Sequence, residues 1–179
     1  MAKKIALGLG ALVLLLILVV ALQPAAFRIE RSAQIAAPPA VVYGIVSDFH
    51  EWPAWSPWAK LDPNMKTTYS GAPKGEGAQY AWQGNDQVGS GRMQIVRAEE
   101  PSALQIKLDF IAPMQQTNIT DFHFAPSGDG TQVSWAMSGE NGFFGKAFSM
   151  VMDMDELVGS DFEKGLAALK QEAEAKAKQ

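Results

Sequence analysis

The chain of 179 residues has no cysteine and only two histidines, His50 and His123. That composition excludes a disulfide framework, a Cys-ligated zinc site, an iron–sulfur cluster and a cysteine nucleophile. Basic charge is also scarce. Setting aside Lys3 and Lys4 leaves 13 Lys and Arg against 19 Asp and Glu, about −6 for the remainder, which repels phosphate backbones and excludes nucleic acid as a partner. Phosphate cradles are missing. Gly89-Ser90-Gly91 is followed by Gln94 where a dinucleotide fingerprint needs its third glycine, and Gly145-Lys146-Ala147 lacks the hydroxyl residue of a P-loop. No His-Glu-x-x-His and no Gly-x-Ser-x-Gly occurs, so neither a metal nor a cofactor is expected.

One long apolar run is present. Ile5 to Leu22 is an uncharged stretch of 18 residues interrupted only by Gly8 and Gly10, and as a helix it spans about 27 Å, the thickness of a bilayer core. A cleaved signal peptide competes with the anchor reading, since Val19 and Ala21 form a small pair suited to a cleavage site. The run is longer than the usual signal core, and it has no polar face that would let it pack as a soluble helix. Residues 1–26 are therefore read as a membrane anchor or uncleaved signal and residues 27–179 as one domain. Lys3, Lys4 and the amino terminus outweigh Arg28 and Arg31 narrowly, which puts a single-pass chain with its N-terminus in the cytoplasm and the domain outside it.

Beyond the leader the hydrophobic period changes twice. Phe27 to Ile35 alternates as a strand, with Arg31 breaking the pattern, and Pro38-Pro39 opens a short helix with a Val41, Val42, Ile45, Val46 stripe. Asp48 to Trp58 holds Trp52, Trp55 and Trp58 between prolines, with room for one helical turn. Period two then predicts strands at Met65–Ser70, Gln79–Gln83, Gly91–Glu99, Ala103–Phe110, Thr117–Phe124 and Thr131–Ser138, separated by Gly, Pro, Asn and Asp turns. After Gly142 three- and four-residue steps from Phe144 to Leu169 predict one long amphipathic helix, with Gly159-Ser160 as a place to bend. Seven antiparallel strands and one such helix bury each other only if the sheet curls around the helix.

This order of elements, with Asp48-Phe49, Trp52, Trp55-Ser56-Pro57-Trp58, Tyr69-Ser70-Gly71, Tyr80 to Asn85, Val88 to Gly91, Gly130 to Trp135 and Gly165-Leu166, resembles the START-related helix-grip superfamily. That superfamily, SRPBCC, includes the polyketide cyclase/dehydrase and lipid-transport proteins. The resemblance implies an α+β helix-grip fold, a curved seven-stranded antiparallel sheet around a long C-terminal helix, with two short helices after the first strand and a hydrophobic pocket between sheet and helix.

Strand alternation and helical spacing nominate Tyr80, Trp82, Ile106, Leu108, Phe122, Trp135, Phe148 and Val151 as the lining of such a pocket. The expected ligand is a small hydrophobic or amphipathic, lipid-like molecule. Two other readings stand beside it. A cyclase- or hydrolase-like enzyme would draw on Asp48, His50 and Glu51 or on Tyr69 and Tyr80, and a ligand-free interaction module would have the same aromatics simply filling the core. His123 beside Asp121 lies on an outward face, and the sequon Asn118-Ile119-Thr120 sits within a strand with its Asn turned inward.

Overall fold

A computed structural model describes residues 2–179. Helix α1 (Ala2–Leu22) precedes strand β1 (Ala26–Ile35), helices α2 (Pro39–Val46) and α3 (Trp52–Trp55), and a 3-10 turn at Pro57–Lys60. Strands β2 (Lys66–Gly71), β3 (Ala78–Gln83), β4 (Ser90–Glu99), β5 (Ala103–Ala112), β6 (Gln116–Ser127) and β7 (Gly130–Glu140) follow, then α4 (Phe143–Ser149) and α5 (Met154–Lys176). All seven expected strands form, each within a few residues of the range that alternation marked. They make one antiparallel sheet in the order β1-β7-β6-β5-β4-β3-β2, so consecutive hairpins carry β2 to β7 and β1 closes against β7. The curved sheet grips α5, the α+β helix-grip arrangement.

The register gives the sheet two distinct ends. At one, β1 begins opposite the end of β7 (Ala26↔Glu140), β4 begins opposite the end of β5 (Ser90↔Ala112), and β2 begins opposite the end of β3 (Lys66↔Gln83). This is the end at which α1 enters. There α1 touches α4, Lys146 Nζ donates to the Ala21 carbonyl at 3.1 Å, and Val20 is buried while its neighbours along the helix are exposed.

Arg31, which interrupts the alternation in sequence, turns out to hold α5 on the sheet. Its Nη2 donates to Asp155 Oδ2 at 2.8 Å and to the Asp155 carbonyl at 2.9 Å, and its Nε donates to Glu163 Oε1 at 2.9 Å. Gly159 makes this possible: a Cβ there would collide with the guanidinium. Gly165 serves the same purpose one and a half turns on, where a Cβ would come within 2.7 Å of the Trp135 ring. Both glycines are sites of close approach in a helix that runs unbroken from Met154 to Lys176, not a bend. The other end of α5 is tied to the end of β1, with Lys170 Nζ donating to Gln34 O and Glu174 accepting from Ala36 N, both at 2.9 Å.

These ties are acid-sensitive in a defined direction. The hydrogen bonds from Arg31 hold the Asp155 carboxyl below its ordinary range, and the Ala36 N–H does the same for Glu174. Their contribution is complete above the ordinary carboxylate value near pH 4 and is lost as pH falls through the depressed folded values. Thermal unfolding recorded from pH 7 to 2 is expected to show a midpoint falling most steeply below about pH 4. Arg31→Gln should flatten part of that fall, and an unchanged pH profile would mean that the clasp contributes nothing.

The single long helix expected from Phe144 onward is instead two. Asp153 takes the N-cap position of α5, its Oδ1 accepting from Glu156 N at 3.1 Å, and α4 closes at Met150. A capping side chain stops a helical period that the apolar spacing carries across, because Asp competes for the backbone amides of the next turn.

Candidate functional site

The inner face of the sheet forms rungs that can be followed from filled to open. In the middle, Phe122 and Trp135 are fully buried, and Trp135 lies parallel to Phe162 of α5 with ring centroids 4.2 Å apart and an interplanar angle of 7°. Phe122 also stacks on Trp135 at 5.0 Å, and Trp55 and Trp58 pack against it in T-shaped geometry at 5.5 and 5.9 Å. Trp52 packs against Trp55 and donates its indole N–H to Val46 O at 2.9 Å. The Trp-rich segment is thus a plug: its prolines hold the chain in one short helix and one 3-10 turn whose rings drop between α5 and the sheet.

One rung closer to the α1 end, Ile95, Ile106, Thr120, Met137 and Ile29 are still buried. On the next, Tyr69, Tyr80, Met93, Leu108, Asn118, Gly139 and Phe27 run across the whole sheet, and Tyr69, Met93, Leu108 and Phe27 are only half-buried. Trp82 and Phe110, on the last rung, are half-buried too; the benzo edge of Trp82 occupies the space a Cβ on Gly91 would need, and its indole N–H donates to Val88 O at 2.9 Å. The inner face is therefore progressively less covered toward the α1 end, and this partly exposed apolar strip is called the groove below.

At the floor of this groove is Asn118, 3% exposed. Its amide nitrogen reaches only the Met137 sulfur at 3.5 Å, and its Oδ1 has no protein partner, although Gly139 opposite leaves it room. The indole nitrogens of Trp55 and Trp135 are likewise buried without partners. Buried polar atoms are usually paired, so the unpartnered Asn118 oxygen among apolar neighbours is an exception in this inner face.

Of the sequence-nominated lining, Tyr80, Ile106, Phe122 and Trp135 come together in the packed region, and Trp82 and Leu108 in the groove. Phe148 and Val151 do not join them. Phe148 lies on α4 and Val151 in the connection to α5, both exposed, because the helix break carries this segment off the sheet. Phe27, Met93, Phe110 and Asn118 belong to the groove without having been nominated. Alternation already put Asn118 inward, and a polar residue on an inner face was the available signal.

The remaining candidates lie elsewhere. His50 Nδ1 is 2.9 Å from Asp48 Oδ1 and the ring stacks on Tyr69 at 4.2 Å, while Glu51 pairs with Lys176 at 2.7 Å, all on the rim and largely in solvent. Burial pushes the Tyr80 phenol up to about 12, so it keeps its proton at neutral pH. On the outer face a depression of about 250 Å³ is edged by Ser70, Gln79, Arg92, Lys107 and Asp109. The Thr117 hydroxyl, 2.6 Å away, together with Arg92 and Lys107, holds the Asp109 carboxyl below its ordinary range, the signature of a paired surface charge. Among the described residues no three His, Asp or Glu side chains converge as a metal site would require.

Solved structures of the same architecture are numerous. A Chromobacterium violaceum protein superposes with a TM-score of 0.59 at 16% identity, over 85% of this chain and 99% of that one. A Mycobacterium smegmatis protein gives 0.56 at 18% identity, over 83% and 92%. The Aha1 dimer from Colwellia psychrerythraea gives 0.58 at 14% identity, over 83% and 97%. At such identities the likeness concerns the fold alone. No curated protein matches the chain. The family described as polyketide cyclase / dehydrase and lipid transport matches residues 26–174, from the first residue of β1 to the last turns of α5 and including every residue of the groove. The chain belongs to that family.

Proposed function

We propose that this protein is held in a membrane by α1 and binds a small hydrophobic or amphipathic, lipid-like molecule in the groove at the α1 end of the sheet, with its domain outside the cytoplasm. The observation that carries the reading is the gradient from buried to half-buried along the inner face, ending at Asn118, whose oxygen is unpartnered. Trp82, Leu108, Phe110 and Phe27 supply apolar walls, and Asn118 supplies one oriented acceptor, the usual division of labour in a small-molecule site. Burial supplies the affinity: at about 25 cal/mol per Å², a ligand covering roughly 300 Å² of apolar surface gains about 7 kcal/mol before ordering costs, enough for micromolar binding. The family description, which includes lipid transport, supports the same class of ligand.

A ligand-free interaction module is the second reading, favoured by the Trp135–Phe162 stack that fills the middle of the grip. For an enzyme, the Asp48, His50 and Glu51 cluster lies away from the groove, whereas Tyr80 lies on the groove's own rung beside Met93.

Titration of an apolar fluorescent fatty-acid analogue into the full chain in nanodiscs separates the readings. Binding is expected to show a saturable component over empty nanodiscs, weakened about tenfold by Leu108→Trp, with a smaller effect of that substitution on stability. Asn118→Leu should weaken a hydroxylated analogue while leaving stability nearly unchanged, since it removes a buried acceptor that has no protein partner. If no saturable component appears and Leu108→Trp costs stability by overpacking, about 1–3 kcal/mol, the interaction module replaces the carrier.

A further inference from the structure

We infer that α4 and the connection to α5 form a lipid-docking surface, lying in the bilayer interface beside the end of α1; this rests on the reading of α1 as a membrane span. Phe143, Phe144, Phe148, Met150, Val151 and Met152 are all exposed within ten residues of chain, with Phe144 at 79% and Val151 at 81%. Every other Phe, Tyr and Trp ring of the chain is buried or half-buried, and these three phenylalanines alone among the described residues are exposed. An open depression of about 470 Å³ runs along the same connection, from Ser149 to Met154. The last residues of β5 and the turn to β6 add exposed Ile111 and Met114 at the same end of the sheet.

Depth identifies the occupant. Lys146 of α4 donates to the Ala21 carbonyl, one residue before the end of the apolar run, and α4 covers the last turn of α1 where Val20 is buried. Wherever α1 crosses a bilayer, α4 must then sit at the boundary of hydrocarbon and headgroups, with Phe and Met at acyl depth and the Lys146 ammonium at headgroup level. Charge narrows the partner further. Asp153, Asp155 and Glu156 border the apolar patch and Lys146 is the basic residue within it, so docking depends on insertion of apolar side chains and gains nothing from anionic lipid.

The absence of cysteine permits single-site labelling of the full chain. Phe144→Cys and Val151→Cys report on the patch, Val13→Cys on the span, and Ala125→Cys on the exposed far end of β6. Each variant carries an environment-sensitive fluorophore and is reconstituted into phosphatidylcholine liposomes with or without nitroxide-bearing lipid. Labels at 144, 151 and 13 are expected to be quenched at least about twofold by nitroxide lipid while 125 is unaffected, with no increase when phosphatidylglycerol replaces part of the phosphatidylcholine. Quenching at 13 with 144 and 151 behaving like 125 overturns the docking surface and leaves the anchor standing. Labels at 144 and 151 shielded from aqueous iodide yet untouched by nitroxide lipid would mean that protein covers the patch, which also overturns it. No quenching at 13 removes the anchor and the docking surface together.

Discussion

Trp135→Ala is expected to destabilise the domain by about 3–5 kcal/mol, the range for deleting a large buried aromatic side chain whose site cannot collapse. Collapse is prevented on every side. Phe162 and Phe122 stack on the indole and Trp55 and Trp58 pack against it at steep angles, so β6, α3, the 3-10 turn and α5 would all have to move to fill the space. Gly165 sits against the benzo edge of the ring, so the closeness of α5 at this point is set by Trp135 itself. Trp135→Phe should cost less, because it keeps a ring in the stack and removes an indole N–H that is buried without a partner. Urea unfolding of the purified chain measures both. A loss below 1 kcal/mol for the alanine variant would mean that the stack is not packed as described.

That stack was legible only in part. Alternation in Val133, Trp135 and Met137 put Trp135 inward, and the sheet register agrees with it, but no one-dimensional pattern says that α5 contributes Phe162 rather than another residue as the facing ring. The strands were readable because each has one wet and one dry face, and a period of two is the imprint of that difference. Arg31 was readable only as a defect in the pattern. Its meaning depended on Asp155 and Glu163, more than a hundred residues away, and on Gly159, which looked like a hinge and is a slot for the guanidinium. The split between α4 and α5 escaped because apolar spacing continues through a capping aspartate, and that error carried Phe148 and Val151 into the nominated pocket lining. Asn118 was seen to face inward, but only the register with Leu108 and Gly139 gives it a floor position in an open groove.

The groove and the exposed α4 patch share one end of the sheet, and it is the end at which α1 arrives. On the proposed reading, a ligand drawn from lipid passes the half-buried Trp82 and Phe110 before it reaches the buried Asn118. That reading depends on α1 as a span, so under it the loss of the span should have the largest effect on where the protein is found.

Leu12→Arg combined with Leu16→Arg is expected to move the protein from the membrane pellet to the soluble fraction. The 13 Leu, Ile and Val residues between Ile5 and Leu22 each favour insertion by about 0.3–0.6 kcal/mol, a total of about 4–8 kcal/mol, whereas an arginine near the helix centre opposes it by about 2.5–3.5 kcal/mol. One arginine leaves a margin; two, with two leucines gone, bring the balance to zero or beyond. Neither position touches the folded domain, since α1 is exposed along this stretch, so near-ultraviolet circular dichroism of the released variant should match that of the parent. Carbonate extraction with mass determination of the N-terminus decides the matter. A parent protein already in the carbonate supernatant, or one beginning near Leu22, would make the leader a cleaved signal, because α1 is long and apolar enough to cross a membrane whether it stays attached or is removed after export.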